Sequence, residues 1–159
     1  MTDPVLDRID RRILDQLMRD STLPLVQLAE RVGLSQTPCW KRVQKLAAAG
    51  IITGRVALVD PAQIGLGLTV FVEIEAVDHT EAWRDAFNAL LPAFPSIVEV
   101  HRLAGEADYL LKVVVADMAA FDRFYLELSH ALPCRDITSK FAMETVKSTT
   151  AWPIDIETV

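Results

Sequence analysis

The chain has 159 residues, 51% hydrophobic and 24% charged, with a formal net charge of −6. That length fits one ordinary domain or two small ones with ample material for a buried core, and no apolar run approaches the roughly twenty residues needed to span a bilayer. The polar start MTDPVLDRIDRR is not a signal peptide, two cysteines are too few for a disulfide framework and three scattered histidines lack metal-ligand spacing, so a cytoplasmic protein with no metal and no cofactor is expected.

Charge divides the chain. Residues 1–60 carry nine Lys/Arg against seven Asp/Glu, whereas residues 61–159 carry seven against fifteen, so a polyanion would be drawn to the first part and repelled by the second. Leu6, Ile9, Ile13, Leu14 and Leu17 recur at helical spacing, with Asp3 and Asp7 at the N-terminal end where carboxylates are favoured. A second short helix places Leu25, Leu28, Ala29 and Val32 on one face and stops at Gly33. A third starts at Ser35 or Thr37, either of which can cap it, with Pro38 in its first turn. In this third helix Cys39, Val43, Leu46 and Ala47 point toward the expected core, while Thr37, Lys41, Gln44 and Lys45 point away.

Two amphipathic helices around the tight turn VGLS form a helix-turn-helix pattern. Residues 21–56 hold five cations (Arg31, Lys41, Arg42, Lys45 and Arg55) and one anion, Glu30. The alternative, an ordinary solvated face, is the usual meaning of a charge run, but the turn and the charge distribution favour DNA. The expected DNA contacts are Ser35, Gln36, Thr37, Trp40, Lys41, Arg42, Gln44, Lys45 and Arg55. Short polar groups suit base edges and ammonium or guanidinium groups suit phosphates.

After Gly50, IITGRVALVD is expected to form two short strands bent at Thr53 and Gly54, a wing with Arg55 at its tip, or else a plain linker strand. Asp60, Pro61, Gly65 and Gly67 mark the domain boundary, giving a first domain over 1–60, a linker over 61–67 and a second domain over 68–159. That second domain runs strand 68–77, helix 80–94, strand 96–105, strand 108–116, helix 117–132 and strand 137–146. The order βαββαβ gives an antiparallel sheet with both helices on one face, the ferredoxin-like arrangement. The other face is expected to expose Val70, Val72 and Ile74 or their neighbours, and a second copy is the simplest cover for it, so at least a homodimer is expected.

The motifs LDRIDRRIL, LAERVGLSQTPCWKRVQKL, GII.G, DYLLKV and FAMETVK stand in an order and spacing that resemble the Lrp/AsnC family of feast/famine transcriptional regulators over nearly the whole chain. PCWKRVQKL, GRVALVDPAQIGLGLTVFV and RLAGEADYLLKVVV are most similar to the subgroup of cysteine-responsive activators. The resemblance implies an α+β protein with an N-terminal winged helix-turn-helix and a C-terminal βαββαβ ligand-binding domain, the RAM domain. It implies palindromic double-stranded DNA sites, dimers that commonly assemble to octamers, and an amino-acid effector, cysteine first, near the turn from Gly105 to Tyr109.

An amino-acid zwitterion needs donors for its carboxylate and an acceptor for its ammonium group. Backbone N–H groups around Gly105 can supply the first and Asp108 or Glu106 the second. The expected effector set is Arg102, Gly105, Glu106, Asp108, Tyr109, Thr138 and Ser139, with two alternatives standing: Asp108 as a cap of its hairpin, and Thr138 and Ser139 as ordinary strand residues. Cys134 replaces a glycine usual in the family and Ala107 an aromatic, and Cys134 reads either as a reactive thiol or as an inert one.

Three functions compete. The first is a sequence-specific DNA-binding transcriptional regulator responsive to a small amino acid. The second is an enzyme of the sirohaem-decarboxylase type, which shares the architecture but needs a basic pocket, and only His101 and Arg102 form an adjacent basic pair in the acidic half. The third is an architectural DNA-binding protein without ligand response. The basic helix joined to an acidic, oligomerising domain favours the regulator, not an enzyme.

Overall fold

The computed structural model describes residues 6–156. The chain forms two compact units: residues up to Ala57 together with the stretch from Val146 on, and Leu58–Thr145.

The first unit is built on α1 (Arg8–Arg19), α2 (Leu25–Val32) and α3 (Gln36–Ala48). Asp7 caps α1 by accepting from the Asp10 N–H at 2.8 Å; the expected partner at its N-terminal end, Asp3, lies outside the described residues. Gly33 ends α2 at φ 75° with the Leu34 N–H reaching back 2.9 Å to the Ala29 carbonyl, a left-handed closure that glycine adopts without a Cβ penalty. Ile13, Leu14, Leu28, Ala29, Val32, Cys39, Val43 and Leu46 form the core of this unit. Ala47, expected there, is exposed, because the turn after it closes through Gly50 and brings Ile51 and Ile52 onto the core instead.

The anticipated strands of the wing do not form: residues 51–60 contain no strand, and residues 53–59 are exposed. A two-stranded ribbon with no third strand or helix to bury one face has little to hold it. The linker contains a short 3-10 turn, Pro61–Ile64, capped by Asp60 and closed by Gly65.

The second unit runs β1 (Leu68–Ala76), α4 (Glu81–Leu90), β2 (Ile97–Arg102), β3 (Tyr109–Val115), α5 (Met118–Ala131) and β4 (Cys134–Phe141). All pairings are antiparallel and the strand order is β2-β3-β1-β4, the expected ferredoxin-like sheet. Thr80 and Asp117 cap α4 and α5 by accepting from Trp83 and Ala120. Helix α4 gives way to a 3-10 turn at Leu91–Ala93, where Pro92 has no N–H to continue the α-helical ladder.

The last strand departs from its expected bounds, and of the residues expected on the open sheet face it is the neighbours of Val70, Val72 and Ile74 that lie there. The last strand begins at Cys134 and ends at Phe141, because a bulge opposite Glu75 and Ala76 draws Cys134 and Arg135 into the ladder. Val70, Val72 and Ile74 face the helices and are fully buried with Leu111 and Val113 beneath Trp83, Phe87, Phe124 and Leu128. The opposite face is instead laced with ion pairs: Lys112 with Glu99 at 2.7 Å, Arg135 with Glu75 at 2.6 Å and Lys140 with Glu73 at 2.5 Å, around the half-buried Phe71 and Leu110.

The stretch from Val146 on, assigned from sequence to the second domain, groups with the helical unit. Ile154 packs on the core there.

Candidate functional site

The solvent side of α3 presents Gln36, Thr37, Trp40, Lys41, Gln44 and Lys45 together, preceded by Ser35, the residue before the helix, whose hydroxyl makes no capping bond. All are exposed, Trp40 at 51%. Burial of Cys39, Val43 and Leu46 on the other side fixes this orientation, since residues three and four apart share a helix face. Lys41, Lys45 and Arg55 make no ion pair among the described residues, so these cations are available to an anionic partner.

The other cations are engaged. Arg42 donates through Nη1 to Asp7 and, at 2.8 Å, to Asp10, whose side chain is 3% exposed. It ties α3 to α1, so that, unlike Lys41 and Lys45, it is engaged by carboxylates of its own unit. Burial works to raise the Asp7 pKa, but the Asp10 N–H and the Arg42 guanidinium outweigh it and hold the carboxyl below its ordinary value. Arg31 donates to Gln16 Oε1 at 3.1 Å, and Arg12 to the Arg31 carbonyl at 3.1 Å, joining α1 to α2. The local positive balance read from sequence therefore overstates the charge offered to DNA.

In the second unit, one end of the sheet gathers the end of β1, the β2–β3 turn and the start of β4. Asp108 organises it. Its N–H donates to the Ile74 carbonyl at 2.9 Å, its carbonyl accepts from Leu103 at 2.7 Å, its Oδ2 accepts from the Ala76 N–H at 2.8 Å, and Oδ1 lies 3.4 Å from His79 Nδ1. The Asp108 backbone thus closes the β2–β3 hairpin while its carboxylate caps the end of β1, which leaves lone pairs on Oδ1 for a further donor. Sequence reasoning missed His79; Asp78, which caps the turn before α4 by accepting from Thr80, was the available signal for a tight turn there.

Among the described residues the N–H groups of 104–107 have no hydrogen-bond partner, and Gly105 and Glu106 are exposed. Arg102, the last residue of β2, is exposed as well. Tyr109 lies apart from them: its ring is 8% exposed and sits 4.6 Å from that of Phe87 in the helix-side core. Thr138 and Ser139 point to opposite faces, because Thr138 pairs with Glu73 and Ser139 with the buried Val72. Thr138 Oγ1 donates to Asp136 at 2.7 Å, whereas Ser139 Oγ is buried without a partner. The two hydroxyls therefore do not line one surface.

Burial pushes the Cys134 thiol up to about 11 and raises Cys39 as well, which makes both poor nucleophiles near neutral pH. Among the described residues no cluster of His, Cys, Asp and Glu could hold a metal, and no helix is long and apolar enough to cross a membrane.

Residues 6–53 match the winged helix-turn-helix DNA-binding family model, and residues 69–152 match the Lrp/AsnC ligand-binding domain. The chain belongs to the Lrp/AsnC family. The DNA-binding transcriptional activator DecR of Escherichia coli K12 is 48% identical over 152 residues, covering 95% of this chain and 100% of that one. The glutamate uptake regulatory protein of Zymomonas mobilis is 42% identical, over 94% and 91% of the two chains. Among solved Lrp/AsnC structures, an AsnC family regulator from Agrobacterium tumefaciens superposes with a TM-score of 0.90 at 47% identity, over 96% of this chain and 99% of that one. The regulator NMB0573 of Neisseria meningitidis, solved as a complex with L-Met, gives 0.87 at 36% identity over 94% and 97%. This Lrp/AsnC protein thus joins a helix-turn-helix with an exposed cationic helix to a ligand-binding domain.

Proposed function

We propose that this protein is a sequence-specific transcriptional regulator that docks α3 in the major groove of double-stranded DNA and whose DNA binding or assembly responds to a small amino acid. The observation that carries the reading is the solvent side of α3, where Lys41 and Lys45 stand unpaired beside Thr37, Trp40 and Gln44 in a chain of net charge −6. A cation without an internal partner replaces condensed counterions on DNA, while hydroxyl and amide groups read base edges. Relatives bearing the names of transcriptional regulators cover nearly the whole chain, which favours regulation over the decarboxylase reading.

The effector is proposed to bind at the Asp108 end of the sheet, its carboxylate on the free N–H groups of residues 104–107 and its ammonium group on Asp108 Oδ1 or Glu106. Arg102 stands at that end opposite Tyr109, Thr138 lies further along β4 opposite Glu73, and His79 joins the set. Cysteine is the first candidate, from the subgroup resemblance and the 48% identity to DecR, and methionine the second, from the L-Met complex of the Neisseria relative. The working assembly is proposed to be a homodimer that builds to an octamer on palindromic sites, in the cytoplasm. Such a response requires unequal effector affinity for two assembly or DNA-bound states.

A thermal-shift screen against the twenty amino acids, followed by salt-dependent DNA binding with and without the best hit, tests both halves. A selective rise in melting temperature that also changes DNA affinity supports the reading. DNA binding that no amino acid alters points to an architectural protein, and no sequence preference in a random-pool selection removes the regulator.

A further inference from the structure

The chain from Val146 on groups with the three helices of the first unit. Thr150 Oγ1 donates at 2.7 Å to the Met18 carbonyl, in the last turn of α1, where backbone carbonyls lack helical partners. Arg11, on the same helix, donates at 3.1 Å to the Asp155 carbonyl, and Ile154 packs half-buried on the core of the three helices. The family models do not anticipate this, since the helix-turn-helix match ends at residue 53 and the ligand-domain match runs on to 152.

Helix α1 is consequently held from two sides. The C-terminal stretch holds it through Met18 and Arg11, and Arg42 of α3 holds it through Asp7 and Asp10, the residue next to Arg11. We propose that the segment from Val146 on is a strap that fixes α1 and, through the Arg42 ion pairs, the attitude of α3, so that DNA affinity depends on a segment that does not itself touch DNA. The proposal rests on the DNA-binding reading above. Only residues 142–145 separate the last residue of β4, Phe141, from the strap. The chain therefore passes between its two units twice, once after Ala57 and once after Thr145.

The test uses the full-length chain with Thr150→Val and Ile154→Ala combined, Thr150→Val alone, and Thr150→Ser as the variant that keeps the hydroxyl. Native-state hydrogen exchange of the α1 amides is expected to accelerate about thirtyfold in the double variant, from one lost hydrogen bond and a truncated half-buried side chain, with β1 and β3 unchanged. Affinity for DNA selected from a random pool by the wild-type protein is expected to fall about tenfold with an unchanged salt slope, since no phosphate contact is removed. Thr150→Ser should behave as wild type in both readouts.

Unchanged α1 exchange overturns the strap. Faster exchange with unchanged affinity overturns its influence on α3, and a reduced salt slope shows direct contact with phosphate, which also overturns it. If the wild-type protein selects no DNA, the DNA-binding reading has failed, and α1 exchange separately decides whether the strap docks.

Discussion

Replacing Arg42 by alanine separates a structural cation from a DNA-binding one. The guanidinium bridges Asp10, at 2.8 Å and 3% side-chain exposure, and the half-exposed Asp7, while Arg42 itself is 30% exposed. Removing one partner of a fully buried pair costs about 3–5 kcal/mol and breaking an exposed one about 0–1 kcal/mol. Asp10 lies near the first limit and Asp7 near the second, so about 2 kcal/mol is expected, because Asp10 would keep a buried carboxylate with no counter-charge. For a unit of this size that lowers the melting midpoint by roughly 10 °C. Two units need not unfold together, so the assay is hydrogen exchange resolved by helix, with α1 and α3 loosened and β1–β4 unaffected. A double-mutant cycle with Asp10→Asn isolates the pair, and DNA binding is measured well below the midpoint. Arg42→Ala should leave the salt slope of DNA binding intact. A stability change under about 0.5 kcal/mol together with a slope reduced by about one would mean that Arg42 serves phosphate and that the ion pairs carry no weight.

Lys41→Ala and Lys45→Ala should do the reverse, each lowering the salt slope by about 0.9 while the melting temperature hardly moves, as measured by DNA titration over a salt series. Gly105→Ala should fold like wild type, because Gly105 has no positive φ and its added Cβ would meet nothing within 4 Å. Loss of the amino-acid thermal shift in that variant then reports crowding at the effector turn, and a retained shift removes residue 105 from it. With its thiol pushed up to about 11, Cys134 should react with iodoacetamide at pH 7.5 about 100-fold more slowly than free cysteine, and a rate near that of free cysteine would restore the reactive-thiol reading. Asp7 is held below its ordinary pKa in the folded unit, so its contribution is complete above the unfolded value and is lost as pH falls through the folded one. Acid melts below about pH 4 should therefore flatten in Asp7→Asn.

Local patterns carried the elements well. The spacing of Leu28, Val32, Cys39, Val43 and Leu46, with Gly33 between the helices, determines both the helix-turn-helix and which side of α3 meets solvent. The same patterns say nothing of partners distant in sequence. Arg42 looks like Lys41 and Lys45 on a helical wheel taken alone, and only the packing of α1 against α3 brings Asp7 and Asp10 to it from 35 and 32 residues away. The strap was illegible for a similar reason: AWPID has no periodicity, and its assignment depends on a hydroxyl meeting a carbonyl 132 residues back.

The Asp108 end of the sheet shows how a small error of register redistributes a set of candidate residues. Starting the last strand at residue 137 leaves Cys134 and Arg135 in a loop, yet the bulge opposite Glu75 and Ala76 admits them and sets the pairing of Thr138 with Glu73 and of Ser139 with Val72. Because strand side chains alternate, that pairing assigns the two hydroxyls to different faces: Thr138 to the charged one with Asp136 and Lys140, Ser139 to the buried one. Within the proposed effector set, therefore, only Thr138 stands on an accessible face, while Ser139 lies behind the strand. Thr138→Val should then weaken the effector-induced thermal shift, whereas Ser139→Ala, which removes a buried hydroxyl that has no partner, should leave it intact and raise basal stability by relieving an unsatisfied polar group.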